Sequence, residues 1–157
     1  MIISVLTNRG GGRVDDPLRL ENQVCFALVT AARNIVSIYR PLLEPLGLTH
    51  PQYLVMLALW ENAPRSLGGL AAELAMEPAT LSPLVKRLEA QGRVQRTRRA
   101  DDERVLDIDL TAEGRALRER ALEVPAQIMA RVGVDETALV ALRDGLAPFA
   151  GRFDPAE

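Results

Sequence analysis

Between Leu18 and Leu43 the apolar residues Val24, Leu28, Ala31, Ile35, Ile38 and Leu42 recur every three or four positions. That spacing lines one face of a long helix, ending near Pro41 and Pro45. Pro51 opens a second helix, PQYLVMLALWEN, at a position where a first-turn proline costs no hydrogen bond. Being apolar on nearly every side, this helix is predicted to lie centrally in the core. Residues 1–16 carry Gly10, Gly11 and Gly12, two arginines and two aspartates without periodicity, and read as a flexible arm.

Ser66 is placed to cap a short helix, SLGGLAAEL, and after the break AMEP another helix runs from about Pro78 to Ala90, stopped by Gly92. Pro83 deletes one backbone bond inside it, which predicts a short irregular first turn. Val94 followed by Arg96 and Arg98, and Leu106, Ile108 and Leu110 alternating with Asp107 and Asp109, read as two strands joined by an acidic-basic turn, ADDER. Two short helices with a tight turn, followed by a hairpin, make a winged helix-turn-helix. Thr111, with Glu113 close behind, starts a helix to about Val132, bent or divided at Pro125, and a last helix runs from Asp135 to about Ala150. The fold class is α+β, mainly helical, with long helices flanking the winged part at both ends.

Composition narrows the chemistry. Of 157 residues one is cysteine and one histidine, so an internal disulfide and a structural zinc site are both excluded and no cofactor is expected. No apolar run reaches the roughly 18 residues of a membrane span. The opening MIISVL has neither a basic flank nor a cleavage site, which predicts a cytoplasmic protein with no membrane partner.

The net charge of −2 hides a division: Leu84 to Ala100 holds six basic residues against Glu89, a net +5, leaving −7 for the rest. A basic segment in an acidic chain is the electrostatic footprint of a protein that meets a polyanion; a solvated arginine-rich face is the simpler alternative. In a winged helix-turn-helix the second helix enters the major groove of double-stranded DNA. Thr80 and Ser82 at its tip are candidates to read bases, with helix capping as their alternative role, and Lys86 and Arg87 a turn later to hold phosphates. Arg96, Arg98 and Arg99 extend that surface onto the wing. At the wing tip Asp102 precedes Arg104 by two residues, where a carboxylate can hold the guanidinium extended for a narrow minor groove.

This order of elements, with DDER in the wing, resembles the MarR type of bacterial transcriptional regulator. More specifically, LENQVCFAL, YRPLLEPLGLT, PQYLVMLALWE, TLSPLVKRLEAQG and DDERVLDIDLTAEGRAL look like the organic hydroperoxide resistance repressors, over roughly residues 19–145. The resemblance implies a homodimer that binds a palindromic operator and releases it when its cysteine is oxidised by an organic hydroperoxide. It divides the chain into the arm (1–16), a dimerisation and sensor region (17–50), the winged helix-turn-helix (51–111) and carboxy-terminal dimerisation helices (112–157). AMEPATL carries Pro78 and Ala79 where the resemblance leads one to expect serine and glycine, so base preference does not carry over.

By residue type alone, Cys25 reads as a small buried apolar side chain. Tyr39 lies fourteen residues along the same helix, about 21 Å at helical rise, so the two cannot touch within one chain. An antiparallel helix from a second subunit would set Tyr39 against Cys25, twice per twofold dimer. The resemblance implies that arrangement, with the neighbouring subunit's tyrosine hydrogen-bonded to the thiol. The family's second hydroxyl donor falls on the position before PQYLVM, where this chain has His50. Imidazole can donate to a thiolate as a phenol does, and can also carry charge. Glu21, one turn before Cys25, opposes a thiolate, so activation has to come mainly from across the interface.

With no second cysteine, the switch is predicted to end in a mixed disulfide with a small cellular thiol or in overoxidation. The alternatives are a MarR-type repressor released by a phenolic ligand with Cys25 as packing, a one-cysteine thiol peroxidase, and a dimeric scaffold that binds no DNA. A regulator without enzymatic turnover is the expectation.

Overall fold

The computed structural model describes residues 18–99, 102, 104–133 and 135–149. The amino-terminal arm lies outside them, as do Ala100, Asp101 and Glu103 of the wing turn. The chain divides into two compact units, residues 1–37 and 38–157. The described part of the first holds a 3-10 turn, Leu20–Asn22, and most of helix α1, Val24–Leu43. Helix α1 starts later than the periodicity predicts and runs through Pro41 to Leu43.

In the second unit, a 3-10 turn, Glu44–Leu46, ends at Gly47, whose φ of 69° is the left-handed conformation glycine adopts at little cost. Helix α2, His50–Glu61, follows. At its start the Gln52 carbonyl oxygen accepts the Thr49 backbone N–H at 2.9 Å, the reciprocal half of a capping box. Tyr53, Val55, Met56, Ala58 and Leu59 of α2 are buried, the central placement that its all-round apolar sequence predicts.

Strand β1, Arg65–Ser66, leads into α3, Leu67–Glu73, and Ser66 caps α3 by accepting the Gly69 N–H at 3.0 Å. Helix α4, Pro78–Ala90, buries Leu81, Val85 and Leu88. It is helical from Pro78 and unbroken at Pro83, so the irregular first turn does not form. The proline lies in the second turn, where its missing N–H leaves only the Ala79 carbonyl, on the exposed side, without a helical partner.

Strands β2, Val94–Arg98, and β3, Leu106–Leu110, pair antiparallel with Val94 opposite Leu110 and Arg98 opposite Leu106. Strand β1 adds to the other edge of β3, giving the order β1, β3, β2. Two residues are too short to announce a strand by alternation, and β1 has no sequence signal. Helices α5, Ala112–Ala121, α6, Val124–Val132, and α7, Glu136–Leu146, complete the unit, followed by a 3-10 turn to Phe149. The break between α5 and α6 falls at Leu122 and Glu123, so Pro125 sits in the first turn of α6, where proline fits without breaking anything. The helical, small-sheet architecture is the α+β winged helix-turn-helix that the sequence predicts.

Gly114 locks α5 onto the sheet. Its carbonyl accepts the Trp60 indole N–H at 2.8 Å, and a Cβ at this position would overlap the Arg93 carbonyl oxygen. The Thr111 hydroxyl donates to the Gly92 carbonyl at 2.6 Å and accepts the Gly114 N–H at 3.0 Å, capping α5 as predicted.

Candidate functional site: an aromatic cluster and a basic reading face

Helix α1 ends and α2 begins around the 44–49 turn, and this reversal brings Tyr39 against His50. Their ring centroids lie 4.9 Å apart at 60°. Tyr53, one turn into α2, adds a third ring 5.9 Å from Tyr39, and Trp60 stands edge-on to Tyr53 at 6.3 Å. The sequence reading names Tyr39 and His50 but misses Tyr53 and Trp60. The spacing of His50 and Tyr53, three residues apart on one helix, is the signal that could have found the first of these.

Burial sets the protonation of the cluster. It pushes the Tyr39 phenol above its ordinary range. It does the same to Tyr53, helped by the neighbouring Tyr39 oxygen. His50 is pushed down by burial, and its place in the first turn of α2, at the positive end of the helix dipole, also disfavours imidazolium. At neutral pH the cluster therefore presents protonated phenols and a neutral imidazole, all able to donate a hydrogen bond.

Cys25 belongs to the amino-terminal unit and is exposed on α1, in contrast to the buried packing residue that its type suggests. Val24, Phe26, Val29, Ile35 and Val36 of α1 are exposed with it.

On the reading face, Thr80 is exposed and Ser82 half-buried. Among the described residues neither hydroxyl has a hydrogen-bond partner; the residue at the capping position of α4 is Glu77, so helix capping is not what these hydroxyls do. Lys86 and Arg87 are exposed one turn later. The wing arginines are held differently. Arg96 shares a strand face with buried Val94 and extends over α4, where its Nε donates to Glu89 at 2.7 Å. Arg99 donates to both oxygens of Asp107, at 2.9 and 2.6 Å. These arginines hold the Glu89 and Asp107 carboxyls below the usual carboxylate range, the hydrogen bond being the main cause in each case. Arg98 is exposed at the end of β2.

At the wing tip the Asp102 carboxylate accepts the backbone N–H of Arg104 at 3.0 Å, and the Asp102 carbonyl accepts the Val105 N–H at 2.9 Å. Asp102 thus shapes the turn from which Arg104 projects, exposed, rather than gripping the guanidinium as the sequence reading expects. A two-residue separation across a turn favours this short backbone bond over a long side-chain one.

Comparison with known proteins places these features in a family. Residues 37–120 match the model of the transcriptional regulator SarA/Rot family. The organic hydroperoxide resistance transcriptional regulator of Bacillus subtilis is 40% identical over 114 residues, covering 73% of this chain and 78% of that protein. The chain belongs to the MarR and SarA/Rot family of transcriptional regulators. Among solved structures, reduced AbfR bound to DNA is 36% identical with a TM-score of 0.68, covering 85% of this chain and 95% of that one; overoxidized AbfR bound to DNA is 37% identical with a TM-score of 0.67, covering 83% and 95%. A MarR-family regulator from Rhodococcus sp. RHA1 is 29% identical with a TM-score of 0.75, covering 85% of this chain and 96% of that one. This MarR-type chain is a DNA-binding transcriptional regulator. Among its described residues no helix is long and apolar enough to cross a membrane.

Proposed function

We propose that this regulator is a homodimeric repressor that leaves a palindromic operator when an organic hydroperoxide oxidises Cys25. The observation that carries the reading is the packing of His50 on Tyr39, in a chain related to an organic hydroperoxide resistance regulator. The cluster supplies neutral hydrogen-bond donors, and an exposed cysteine on an apolar helix face supplies the sulfur. Exposed apolar side chains on α1, and Val140 and Leu142 on α7, are the surfaces that a second subunit would cover.

In the dimer, Tyr39 and His50 of one subunit face the other's Cys25. The thiolate attacks one peroxide oxygen, the O–O bond breaks, and the alkoxide leaves as the alcohol after taking a proton. The sulfenic acid then condenses with a small cellular thiol, forming a mixed disulfide and water. A bulky group on Cys25 displaces the donors and shifts the reading heads. Because overoxidized AbfR has been captured on DNA, the mixed disulfide is the releasing form we favour. Thr80 and Ser82 reach bases, Lys86, Arg87 and Arg98 reach phosphates, Arg96 and Arg99 stiffen the wing, and Arg104 enters the minor groove from the turn built by Asp102.

The test is an operator gel shift with reduced and hydroperoxide-treated protein in the presence of a small thiol, paired with intact mass. Wild type should gain the mass of the thiol adduct at Cys25 and let go of DNA. Cys25→Ser should bind DNA and stay bound; release that survives the substitution defeats the sensor reading. A second reading has its own support in a cleft of about 390 Å³ bounded by Tyr53, Leu57, Trp60, Glu61, Arg118 and Leu122, which offers a small aromatic acid two rings and the Arg118 cation, with Glu61 opposing its carboxylate. Release by phenolic acids with Cys25 unmodified would favour it, and many equivalents of peroxide consumed per subunit would instead indicate a thiol peroxidase.

A further inference from the structure

The turn between α1 and α2 joins Tyr39 to His50 along the chain, and it is held from outside at two points. Its own geometry is tight: the Gly47 N–H donates to Glu44 at 2.9 Å and the Leu48 N–H to Leu43 at 3.2 Å. Leu46 and Leu48 are buried on either side of Gly47. With these two leucines sunk in the core, the turn leaves the carbonyls of Pro45 and Gly47 open to side chains from elsewhere. The Gly47 carbonyl accepts the Gln91 side-chain amide at 3.3 Å. The Pro45 carbonyl accepts the Arg120 guanidinium at 2.6 Å.

Gln91 is the residue that closes α4. Its backbone N–H donates to the Arg87 carbonyl at 3.0 Å, so it is fixed to the last turn of the helix carrying Lys86 and Arg87. Arg120 stands in the last turn of α5. One short turn, with Tyr39 a few residues before it and His50 directly after it, is thus tied by side chains to the reading helix and to α5.

We infer that Gln91 is a positioning residue that couples the Tyr39–His50 cluster to the reading helix α4. Resting on the proposed redox reading, the inference assigns the path by which that site acts. When the cluster shifts, the 44–49 turn cannot absorb the movement in its buried leucines, and displacement of the Gly47 carbonyl pulls on the end of α4 through the Gln91 amide. A tether from a side chain to a backbone carbonyl transmits position without depending on the partner's sequence. Arg120 holds the other end of the turn, so that the movement becomes a tilt about Pro45.

The experiment measures operator affinity of the full-length protein before and after treatment with cumene hydroperoxide and a small thiol, with Cys25 modification followed by intact mass. In Gln91→Ala the reduced protein should bind within about threefold of wild type, while the ratio of reduced to modified affinity falls by a factor of about 2 to 10, the scale of one lost neutral hydrogen bond. Gln91→Lys, which keeps a donor at the end of the side chain, should restore the ratio. Gln91→Glu, which removes the donor at nearly constant shape, should behave as Gln91→Ala and guards against a folding defect in either single variant. A purely structural role would lower both affinities together and leave the ratio alone. An unchanged ratio in both Gln91→Ala and Gln91→Glu, with Cys25 modified to the wild-type extent, overturns the coupling while the sensor reading stands. Wild type that is fully modified yet keeps its operator overturns both.

Discussion

The aromatic cluster and the basic reading face lie in the same unit but are built on opposite principles. Around Tyr39, His50 and Tyr53 no ion pair operates among the described residues; burial is the main cause that keeps the phenols protonated and the imidazole neutral, with Tyr39 adding to the effect on Tyr53. Across α4 and the wing, the groups are exposed or half-exposed and their behaviour is set by pairing: Arg96 with Glu89, Arg99 with Asp107. Desolvation makes the first region sensitive to small displacements, because a buried donor that loses its partner is costly. Screening makes the second tolerant of displacement but responsive to salt. The proposed repressor has use for both, one region to register a chemical event and one to hold a polyanion reversibly.

The contrast is sharpest where the regions meet, at Gly114, which accepts the Trp60 indole on one side and abuts the Arg93 carbonyl on the other. Gly114→Ala should cause the largest loss, about 3 kcal/mol of stability by overpacking, because the opposing atom is backbone and cannot swing away. Urea denaturation with unchanged slope checks it, and a loss under about 1 kcal/mol would show that the junction is softer than its geometry implies. An intermediate effect tests the reading face. Lys86→Ala should flatten the dependence of log affinity on log salt by about 2 in the proposed dimer, one phosphate contact from each subunit. Arg99→Ala should change that slope less, since Asp107 already takes up much of its charge; equal slopes would show that the ion pair opens on DNA. The smallest effect concerns pH. His50 has its pKa lowered by folding, so the stability tied to its neutral form is complete above about pH 6.5, the unfolded value, and is lost as pH falls through the lower folded value. His50→Phe should flatten thermal stability between pH 7 and pH 5 relative to wild type. An identical pH profile in the two proteins would mean that the imidazole is solvated after all.

Much of this arrangement is legible in the chain before folding. The central burial of α2, the Ser66 and Thr111 caps, the hairpin and the position of Lys86 and Arg87 all follow from local periodicity and capping chemistry, which act over three or four residues. Tyr39 and His50 are legible as candidates through the family resemblance. What lay beyond the sequence depends on contacts between distant segments: β1 has only two residues and exists because β3 offers an edge, and Tyr53 and Trp60 join the cluster because α2 packs where it does. Glu89 and Asp107 look like ordinary acidic residues until the hairpin register and the packing of β2 on α4 bring Arg96 and Arg99 to them. Asp102 holds the Arg104 backbone N–H and not its guanidinium, a choice between two bonds that residue spacing alone does not make.

By itself the sequence determined the helices and the hairpin, the uneven charge and the single cysteine, since local periodicity, proline and glycine placement and composition need no tertiary partner. Only the tertiary structure decided which arginines are already spoken for, which rings touch, and that Gln91 and Arg120 grip the turn before His50. The last of these depends on two side chains meeting backbone carbonyls 44 and 75 residues away along the chain at one reversal, and no local pattern encodes a distance across the fold.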